Sequence, residues 1–467
     1  MATITFHGAA QEVTGSCHMV ESSSFGCILL DCGMHQGGHN VDRIQKEVFE
    51  FNPEQIDAVI LSHAHLDHSG MLPKLVSQGF SGNIYCSRAT VALMDIMLKD
   101  SAGIYFGDLK RENVRRARKG KALLLPEYTE EDVENTLKLC KGIEYKKEVE
   151  VLNGLTIQLQ DAGHILGSAI VTLFIHEQGL RKKLVFSGDL GNKNAVLMKD
   201  LSIIEEADIV LLESTYGDRN HKKIKDTLEQ LRTILIDTQA RGGNIMIPAF
   251  AVGRTQEILF YLGTLYNEGL LKNWQVALDS PMAIEVTRVY DKWFRALDQA
   301  EIQLASPDAT SILKDFIPNL YLSVSVEESI AINRIQKGAI IIAGSGMCTG
   351  GRIRHHFKQR IWDSRNTLIF CGYQANGTLG RLLVDGKKHI KIFNDDFAVK
   401  AQIETLGGFS AHAGQDQLME WLTGFKNNPS VVLVHGEPKA LDALSNRIWR
   451  DLNIQVRVPH RGDSMVF

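Results

Sequence analysis

Six consecutive positions, His63-Ala64-His65-Leu66-Asp67-His68, constrain this chain more than any other feature. They follow the apolar run Ala58-Val59-Ile60-Leu61 and lead into Ser69-Gly70, so a strand delivers three imidazoles and one carboxylate to its own end. Residues two apart on an extended chain face the same side, which lets His63 and His65 bind one ion. Asp67 and His68 fall on the following turn, within reach of a second. A lone histidine is more often a satisfied core or surface residue, but that explanation fails for four ligand-type side chains in six positions. Imidazole together with carboxylate suits zinc and similar transition metals. One cluster cannot fill two coordination shells, however. Further candidates stand at strand ends beside glycine: His164 in Gly163-His164-Ile165-Leu166-Gly167-Ser168, Asp189 in Ser187-Gly188-Asp189-Leu190-Gly191, and His435 in Val434-His435-Gly436. Each of these alone reads equally well as a turn former.

At 467 residues the chain calls for more than one domain. A formal charge of −4 gives no global attraction to nucleic acid or to an acidic membrane, so a polyanionic substrate would need a local basic patch or metal. The seven cysteines form no CxxC pair and no disulfide framework, which fits scattered thiols in a reducing compartment. The N-terminal residues lack the basic start and apolar core of a signal peptide, and no apolar run is long enough to span a membrane. The expectation is a cytoplasmic protein.

Patterning predicts strands at 3–6, 17–21, 27–31, 58–62 and 83–86, with helices after Ser69 and Ala89, then strands at 155–160, 169–176, 183–187 and 208–213. From about Tyr216 the rhythm changes to strand–helix alternation. Helices are expected at 224–239, 255–262, 282–293 and 352–362, and strands at 244–248, 275–279, 339–343 and 367–372. Such alternation implies a parallel sheet. The tail returns to a strand at 431–435, a helix at 438–452 and a strand at 454–458. One domain is interrupted by another.

The segments around His63–His68, His164 and Asp189 are very similar to the motif series of the metallo-β-lactamase superfamily, and Asp31 in Leu29-Leu30-Asp31-Cys32-Gly33 matches its first motif. The resemblance implies one ion held by His63, His65, His164 and Asp189, and another by Asp67, His68, Asp189 and His435, with Asp189 bridging. Asp31 would support the metal loop without binding metal. Glu213 at the end of Ile209-Val210-Leu211-Leu212-Glu213, His412 in Gly408-Phe409-Ser410-Ala411-His412-Ala413, and His435 resemble the three hallmark motifs of the β-CASP nucleases. The likeness continues through Pro248–Arg254, Gly344-Ser345-Gly346-Met347 and Gly372-Tyr373-Gln374 to Gly377-Thr378-Leu379-Gly380-Arg381. It implies an α/β chain: an αββα metallo-β-lactamase sandwich in 1–213 and 396–467, interrupted at 214–395 by a Rossmann-like β-CASP domain with a mainly parallel sheet. A histidine in the last motif accompanies the RNA-cleaving branch, so His435 points to RNA. The compact bacterial members, without the large C-terminal domain of ribonuclease J, are the most similar.

The expected activity is therefore that of a zinc-dependent ribonuclease with two Zn2+ per chain. It would hydrolyse single-stranded RNA by a two-metal hydroxide mechanism, endonucleolytically, with exonuclease activity left open. Asp67 would accept a proton from the attacking water, His412 would protonate the leaving oxygen, and Glu213 would orient His412. Arg254, Ser345, Arg352, Thr378 and Arg381, beside glycine-rich turns, are candidates for holding substrate phosphates. The run Lys110, Arg111, Arg115, Arg116, Arg118, Lys119 and Lys121 reads as a solvated helix face. Gly344-Ser345-Gly346 lacks the Lys-Ser/Thr ending of a P-loop, which argues against nucleoside triphosphate binding. No membrane partner is expected; a homodimer is common among relatives. Two other readings, a hydrolase of thioesters or other small esters and a catalytically silent RNA-binding scaffold, are weaker. Every expected ligand is present, and a large inserted domain suits a polymer.

Overall fold

A computed structural model of the chain describes residues 2–35, 40–177, 179–193, 195–299, 302, 309–372, 374–375 and 377–467; Tyr373 of the motif quoted above lies outside them. Two compact units emerge, one of residues 1–195, 200–220 and 412–467, the other of 196–199 and 221–411.

In the first unit, strands β1 (Thr3–Gly8), β2 (Cys17–Ser22), β3 (Gly26–Leu30), β4 (Ala58–Ile60), β5 (Asn83–Ser87) and β6 (Cys140–Ile143) belong to one sheet. Strands β7 (Glu148–Leu152), β8 (Leu155–Asp161), β9 (Ala169–Glu177), β10 (Leu180–Phe186) and β11 (Ile209–Glu213) belong to another. The chain then builds the second unit with β12 (Ile245–Pro248), β13 (Gln275–Leu278), β14 (Tyr321–Leu322), β15 (Ala339–Ala343), β16 (Thr367–Phe370), the hairpin β17 (His389–Ile392) and β18 (Asp395–Ala398), and β19 (Gln402–Thr405). It returns with β20 (Ser430–Val434), β21 (Val456–Arg457) and β22 (Ser464–Val466). The resulting orders are β22-β1-β2-β3-β4-β5-β6 and β21-β20-β11-β10-β9-β8-β7 in the first unit, and β14-β13-β15-β12-β16-β19 in the second.

The two large sheets face each other because their strands alternate apolar side chains across the pleat. Phe6, Val20, Leu30 and Ile60 of one sheet share a core with Leu159, Leu173, Leu184, Phe186, Leu211 and Val434 of the other. The intervening residues Val185, Val210, Leu212, Val431 and Leu433 point the opposite way, onto Leu418 and Leu422 of the helix Gln415–Leu422 and Leu441 and Leu444 of the helix Pro438–Leu452. A strand buried on both faces must be apolar throughout, which is why β11 and β20 read as unbroken hydrophobic runs. The helix Arg88–Arg118 packs on β5 and β6 of the other sheet. Helices therefore cover both outer faces of an αββα sandwich.

Topology also fixes where chemistry can occur. Strands β10, β11 and β20 are parallel neighbours, and β8 runs in the same direction because it and β10 are each antiparallel to β9. Their C-terminal ends thus emerge along one edge, the usual place for a site on parallel strands. In the second unit all six strands of the main sheet are parallel. Helices such as Arg254–Asn267, Pro281–Lys292 and Ile353–Arg360 connect them, close to the expected 255–262, 282–293 and 352–362.

Leu211, fully buried between the two sheets, tests this packing. Leu211→Ala is expected to destabilise the first unit by about 2–5 kcal/mol, the usual range for such a cavity. Urea unfolding with and without the substitution measures it; a change below about 0.5 kcal/mol would show that β11 is not sandwiched as described.

Candidate metal centre and acid–base pair

Strand β4 ends at Ile60, two residues before the expected end, and Leu61, Ser62 and His63 continue from it without strand pairing. His65 then starts the one-turn helix Leu66–Ser69, with ψ near 145°, and the Ser69 hydroxyl closes the turn by donating to the carbonyls of Ala64 (3.1 Å) and His65 (3.0 Å). The turn separates the ligands by direction. His63 and His65 converge with His164 and Asp189, while Asp67 and His68 converge with His435.

His164 arrives on the turn after β8, shaped by the Ser168 hydroxyl, which accepts from the backbone N–H of His164 (3.1 Å) and of Ile165 (3.2 Å). Asp189 follows β10 through Gly188, whose φ of 54° suits a residue without a side chain. His435 follows β20 with φ of 52°. That left-handed backbone disfavours an imidazole-bearing residue and persists only when neighbours over-determine it. They do: His435 N–H donates to Ala9 O (2.7 Å), its carbonyl accepts from Ser214 N–H (3.2 Å), and the Thr215 hydroxyl lies 3.1 Å from Nδ1.

The fit to a metal can be read from individual atoms. His63 Nε2 and His164 Nε2 lie 3.1 Å and 3.2 Å from His65 Nδ1, and 3.5 Å and 3.6 Å from Asp189 Oδ2. Donors bound tetrahedrally at 2.0–2.1 Å from zinc would stand about 3.3–3.4 Å apart. Both contacts converge on His65 Nδ1, which has one in-plane lone pair, so the three rings cannot all be well paired with one another. In the second group, His68 Nε2, His435 Nε2 and Asp189 Oδ1 are buried and make no hydrogen bond among the described residues. Buried polar atoms left so need a partner. His68 Nε2 is 3.4 Å from Asp189 Oδ2, and His435 Nδ1 is 3.5 Å from Asp189 Oδ1, so this carboxylate faces both groups.

Asp31, also left-handed with φ of 62°, sits behind the ligands and outside both groups. Its carboxylate accepts from Ser62 N–H (2.7 Å), Ser62 Oγ (3.0 Å) and Ser16 Oγ (3.0 Å), and takes the Nδ1 side of His68 at 2.7 Å. That contact leaves His68 Nε2 directed at the centre, the arrangement by which a carboxylate orients a metal-binding imidazole. The adjacent backbone clasps the ligand turn: Cys32 N–H donates to His68 O (2.8 Å), Met34 N–H to Leu66 O (2.8 Å) and Ser16 N–H to Asp67 O (2.8 Å). A Cβ on Gly33 would lie 1.6 Å from Asp67 O, so only glycine allows this approach.

Beside the first ligand group stands a second device. Glu213, fully buried at the end of β11, accepts from Leu190 N–H (2.9 Å) with Oε1 and from Thr215 N–H (3.0 Å) with Oε2. Its Oε1 is 3.3 Å from His412 Nδ1, which is 3.9 Å from Asp189 Oδ2. A β-bridge between Gly191 and His412, with Ala413 N–H donating to Leu190 O (2.8 Å), joins the His412 backbone to the loop that carries Asp189. The His412 side chain keeps 22% of its surface exposed.

Charge is distributed unevenly among these rings. Burial drives His63 well below the usual imidazole range and lowers His65, which keeps both as neutral donors. His68 is pushed well above that range; burial opposes this, but Asp189 and Asp31 outweigh it. Asp189 goes well below the ordinary carboxylate value, burial being overcome by His435, His68, His412 and His63. His412 rises to about 8, because Glu213, with Asp189 and Asp67 behind it, more than offsets burial.

All nine residues expected at the centre or paired beside it, with Asp31 supporting, therefore lie in the first unit. The five phosphate-binding candidates lie in the second unit, each with a local partner. Arg254 pairs with Glu257. Arg352 binds Asp279 (2.7 Å) and the carbonyls of Ser323 (3.1 Å) and Val324 (2.7 Å). Arg381 pairs with Asp385 (2.9 Å). Thr378 caps the helix Leu379–Val384, and Ser345 Oγ accepts from Gly350 N–H (3.2 Å). Sequence reasoning assigned no role to Ser16, Ser62 or Thr215. The one available signal was the position of Thr215 two residues after a strand-end acid; nothing in the sequence marks Ser16.

Comparison with known proteins agrees with this geometry. Residues 11–242 match the metallo-beta-lactamase superfamily, 255–383 the Beta-Casp domain, and 396–459 the Zn-dependent metallo-hydrolase RNA specificity domain. The chain belongs to the β-CASP branch of the metallo-β-lactamase superfamily. Among its relatives, ribonuclease TTHA0252 of Thermus thermophilus is 40% identical over 438 residues, covering 94% of each chain. An RNase J-like protein of Methanocaldococcus jannaschii is 31% identical over 99% of each chain, and the transcription termination factor FttA of the same organism is 32% identical over 99% of this chain and 71% of its own length. A crystal structure of an Enterococcus faecalis protein of unknown function covers both chains fully, with a TM-score of 0.56 and 13% identity, a likeness of fold alone.

If Asp31 orients His68 for metal, Asp31→Asn should weaken zinc binding by about 10–100-fold although Asp31 is no ligand. Competition against a chromophoric chelator measures this; unchanged affinity would mean that His68 is oriented without it.

Proposed function

We propose that the chain is a zinc-dependent ribonuclease that binds two Zn2+ and hydrolyses phosphodiester bonds of single-stranded RNA. The observation that carries the reading is the Glu213–His412 pair, 3.3 Å apart and beside Asp189 of the metal-binding group. A metal centre alone would serve many ester hydrolases. An added imidazole next to it, partly open to solvent and held by a buried carboxylate, supplies what a poor alkoxide leaving group needs. RNA rather than another ester is supported by relatives named as ribonuclease and RNase J-like protein, and by the RNA specificity domain that spans His412 and His435.

His63, His65, His164 and Asp189 would hold one ion, and Asp67, His68, His435 and Asp189 the other. When bound, the ions supply positive charge for the attacked phosphate and make water acidic enough to serve as a nucleophile near neutral pH. Asp67 would accept a proton from the attacking water. His412, whose value Glu213 raises, donates its proton from Nε2 to the departing oxygen, while Nδ1 stays on Glu213. Glu213 cannot swing away, because two backbone N–H groups hold its oxygens. Thr215 fixes the ring of His435 from behind. Arg254, Ser345, Arg352, Thr378 and Arg381 remain candidates for substrate contacts, although Glu257, Asp279 and Asp385 already engage the three arginines.

The test is cleavage of labelled RNA and of DNA of the same sequence by the zinc-loaded protein. His412→Ala should retain zinc and lose about 10²–10⁴-fold in rate. Absence of RNA cleavage with zinc bound would end the ribonuclease reading, and equal cleavage of DNA would remove its selectivity.

The pH dependence follows from the same pair. His412 works as the protonated form, so activity should fall as pH rises through its folded value, about 8 before any effect of bound cations. Glu213→Gln removes the main influence that raises this value. The alkaline fall should then move down by about one pH unit, the scale of a close opposite charge. The shift is a difference between two proteins with the same metals, so the cations do not alter its sign. An unmoved alkaline limb would assign that ionisation elsewhere.

A further inference from the structure

The cations between Lys110 and Lys121, except the half-buried Arg116, are exposed on the helix Arg88–Arg118 and the segment after it, as a solvated face should be. They also border something the sequence did not suggest. Phe106, Leu109, Val114, Ala117, Leu123 and Pro126 line a groove of about 500 Å3 between the end of the helix and the returning segment. Its walls are fixed by hydrogen bonds. The Asn113 amide exchanges two with the Leu124 backbone, at 2.9 Å and 2.8 Å; Arg116 Nε donates to Ala122 O at 2.7 Å; Gln45 Nε2 donates to Leu125 O at 2.6 Å. The returning segment is therefore held in place with Leu123 59% exposed and Leu125 80% exposed, near a 48% exposed Val114. Scattered apolar residues on a surface need no explanation; here several share one groove whose walls are held by hydrogen bonds.

Charge indicates what fits. Asp108 and Glu112 pair with Arg111 and Arg115. Among the described residues no acid pairs with Lys110, Arg118, Lys119 or Lys121. An aliphatic floor with a rim of unpaired cations complements a segment carrying apolar side chains on one face and carboxylates on the other. Single-stranded nucleic acid fits less well. It relies on open aromatic faces for stacking, and the one ring in the lining, Phe106, packs against Tyr105 and Tyr128 with centroids 5.4 Å and 5.8 Å away.

We propose that this groove docks an acidic, amphipathic helical segment of a partner protein. The site lies within the first unit and does not depend on the ribonuclease reading.

The experiment pans a phage-displayed library of random peptides, about four helical turns long, on the full zinc-loaded protein, with Leu123→Asp as the counter-target. Enriched peptides are synthesised with a fluorophore and titrated by anisotropy. The expected winners are acidic, carry apolar residues at i, i+3 or i+4, and i+7, and bind less tightly as salt increases. Leu123→Asp, Val114→Asp and the pair Lys110→Glu with Lys121→Glu should each weaken binding at least tenfold. All four positions are exposed, so circular dichroism and cleavage of a short RNA should be unchanged. The proposal is overturned if no peptide is enriched over the counter-target, if the winners are not acidic, or if they bind wild type and Leu123→Asp equally. It is overturned too if the charge reversal weakens RNA binding instead, or if sedimentation shows that the groove is covered by a second copy of the chain.

Discussion

The carboxylate of Asp189, 2% exposed, lies within 3.4–3.9 Å of ring nitrogens from His63, His68, His164, His412 and His435. A buried carboxylate is unfavourable unless positive charge compensates it. Without metal, compensation must come from protons on some of the rings, and His68 and His412 are held above their usual range. A divalent ion replaces that arrangement with a stronger one. Metal uptake and proton release are thus coupled in this fold, since ligands that bind metal cannot stay protonated. The surrounding geometry serves the same end: Asp31 fixes His68, Thr215 fixes His435, and Glu213 fixes His412.

These contacts are possible because the sandwich brings distant segments to one edge. Asp189, Glu213 and His435 end three adjacent parallel strands, and His164 ends a fourth that runs in the same direction. Asp189, Glu213 and His435 follow strand ends buried on both faces, so their positions are as fixed as the core, whereas β8 before His164 is buried on one face. Left-handed backbone at Asp31 and His435 marks where that rigidity is used to hold a conformation a free peptide would avoid.

Much of this was legible in the sequence, and the limits are physical. The candidate metal-ligand positions stood out because apolar strands stop abruptly at ligand-type residues. The helix Pro438–Leu452 was read at its observed ends, since a proline starts it and Leu441, Leu444 and Ile448 recur on one face. Strands β6 and β22 were missed. They are the two edges of their sheet, short and largely exposed, and their pairing depends on neighbours far away in sequence. The helix Glu130–Leu139 was missed although its Thr129–Asp132 capping box was readable. The bond from Ser16 to Asp31 had no local signature, because it arises from how two loops meet. Motif resemblance assigned roles that spacing alone left open, above all the split of candidate ligands into two groups and the part expected of His412.

The order of the chain has a consequence for synthesis on the ribosome. Strand β11 is apolar over Ile209–Leu212 and gains its outer neighbour, β20, only when residues 430–434 emerge. At about 5–20 residues per second, β11 waits about 10–40 s as an unpaired hydrophobic edge. During that interval the nascent chain already carries His63, His65, His164 and Asp189, a complete first ligand group, yet lacks His412 and His435. The candidate first ligand group is thus synthesised well before the residues that complete the second group and the acid–base pair, which arrive only with the last strands of the sheet.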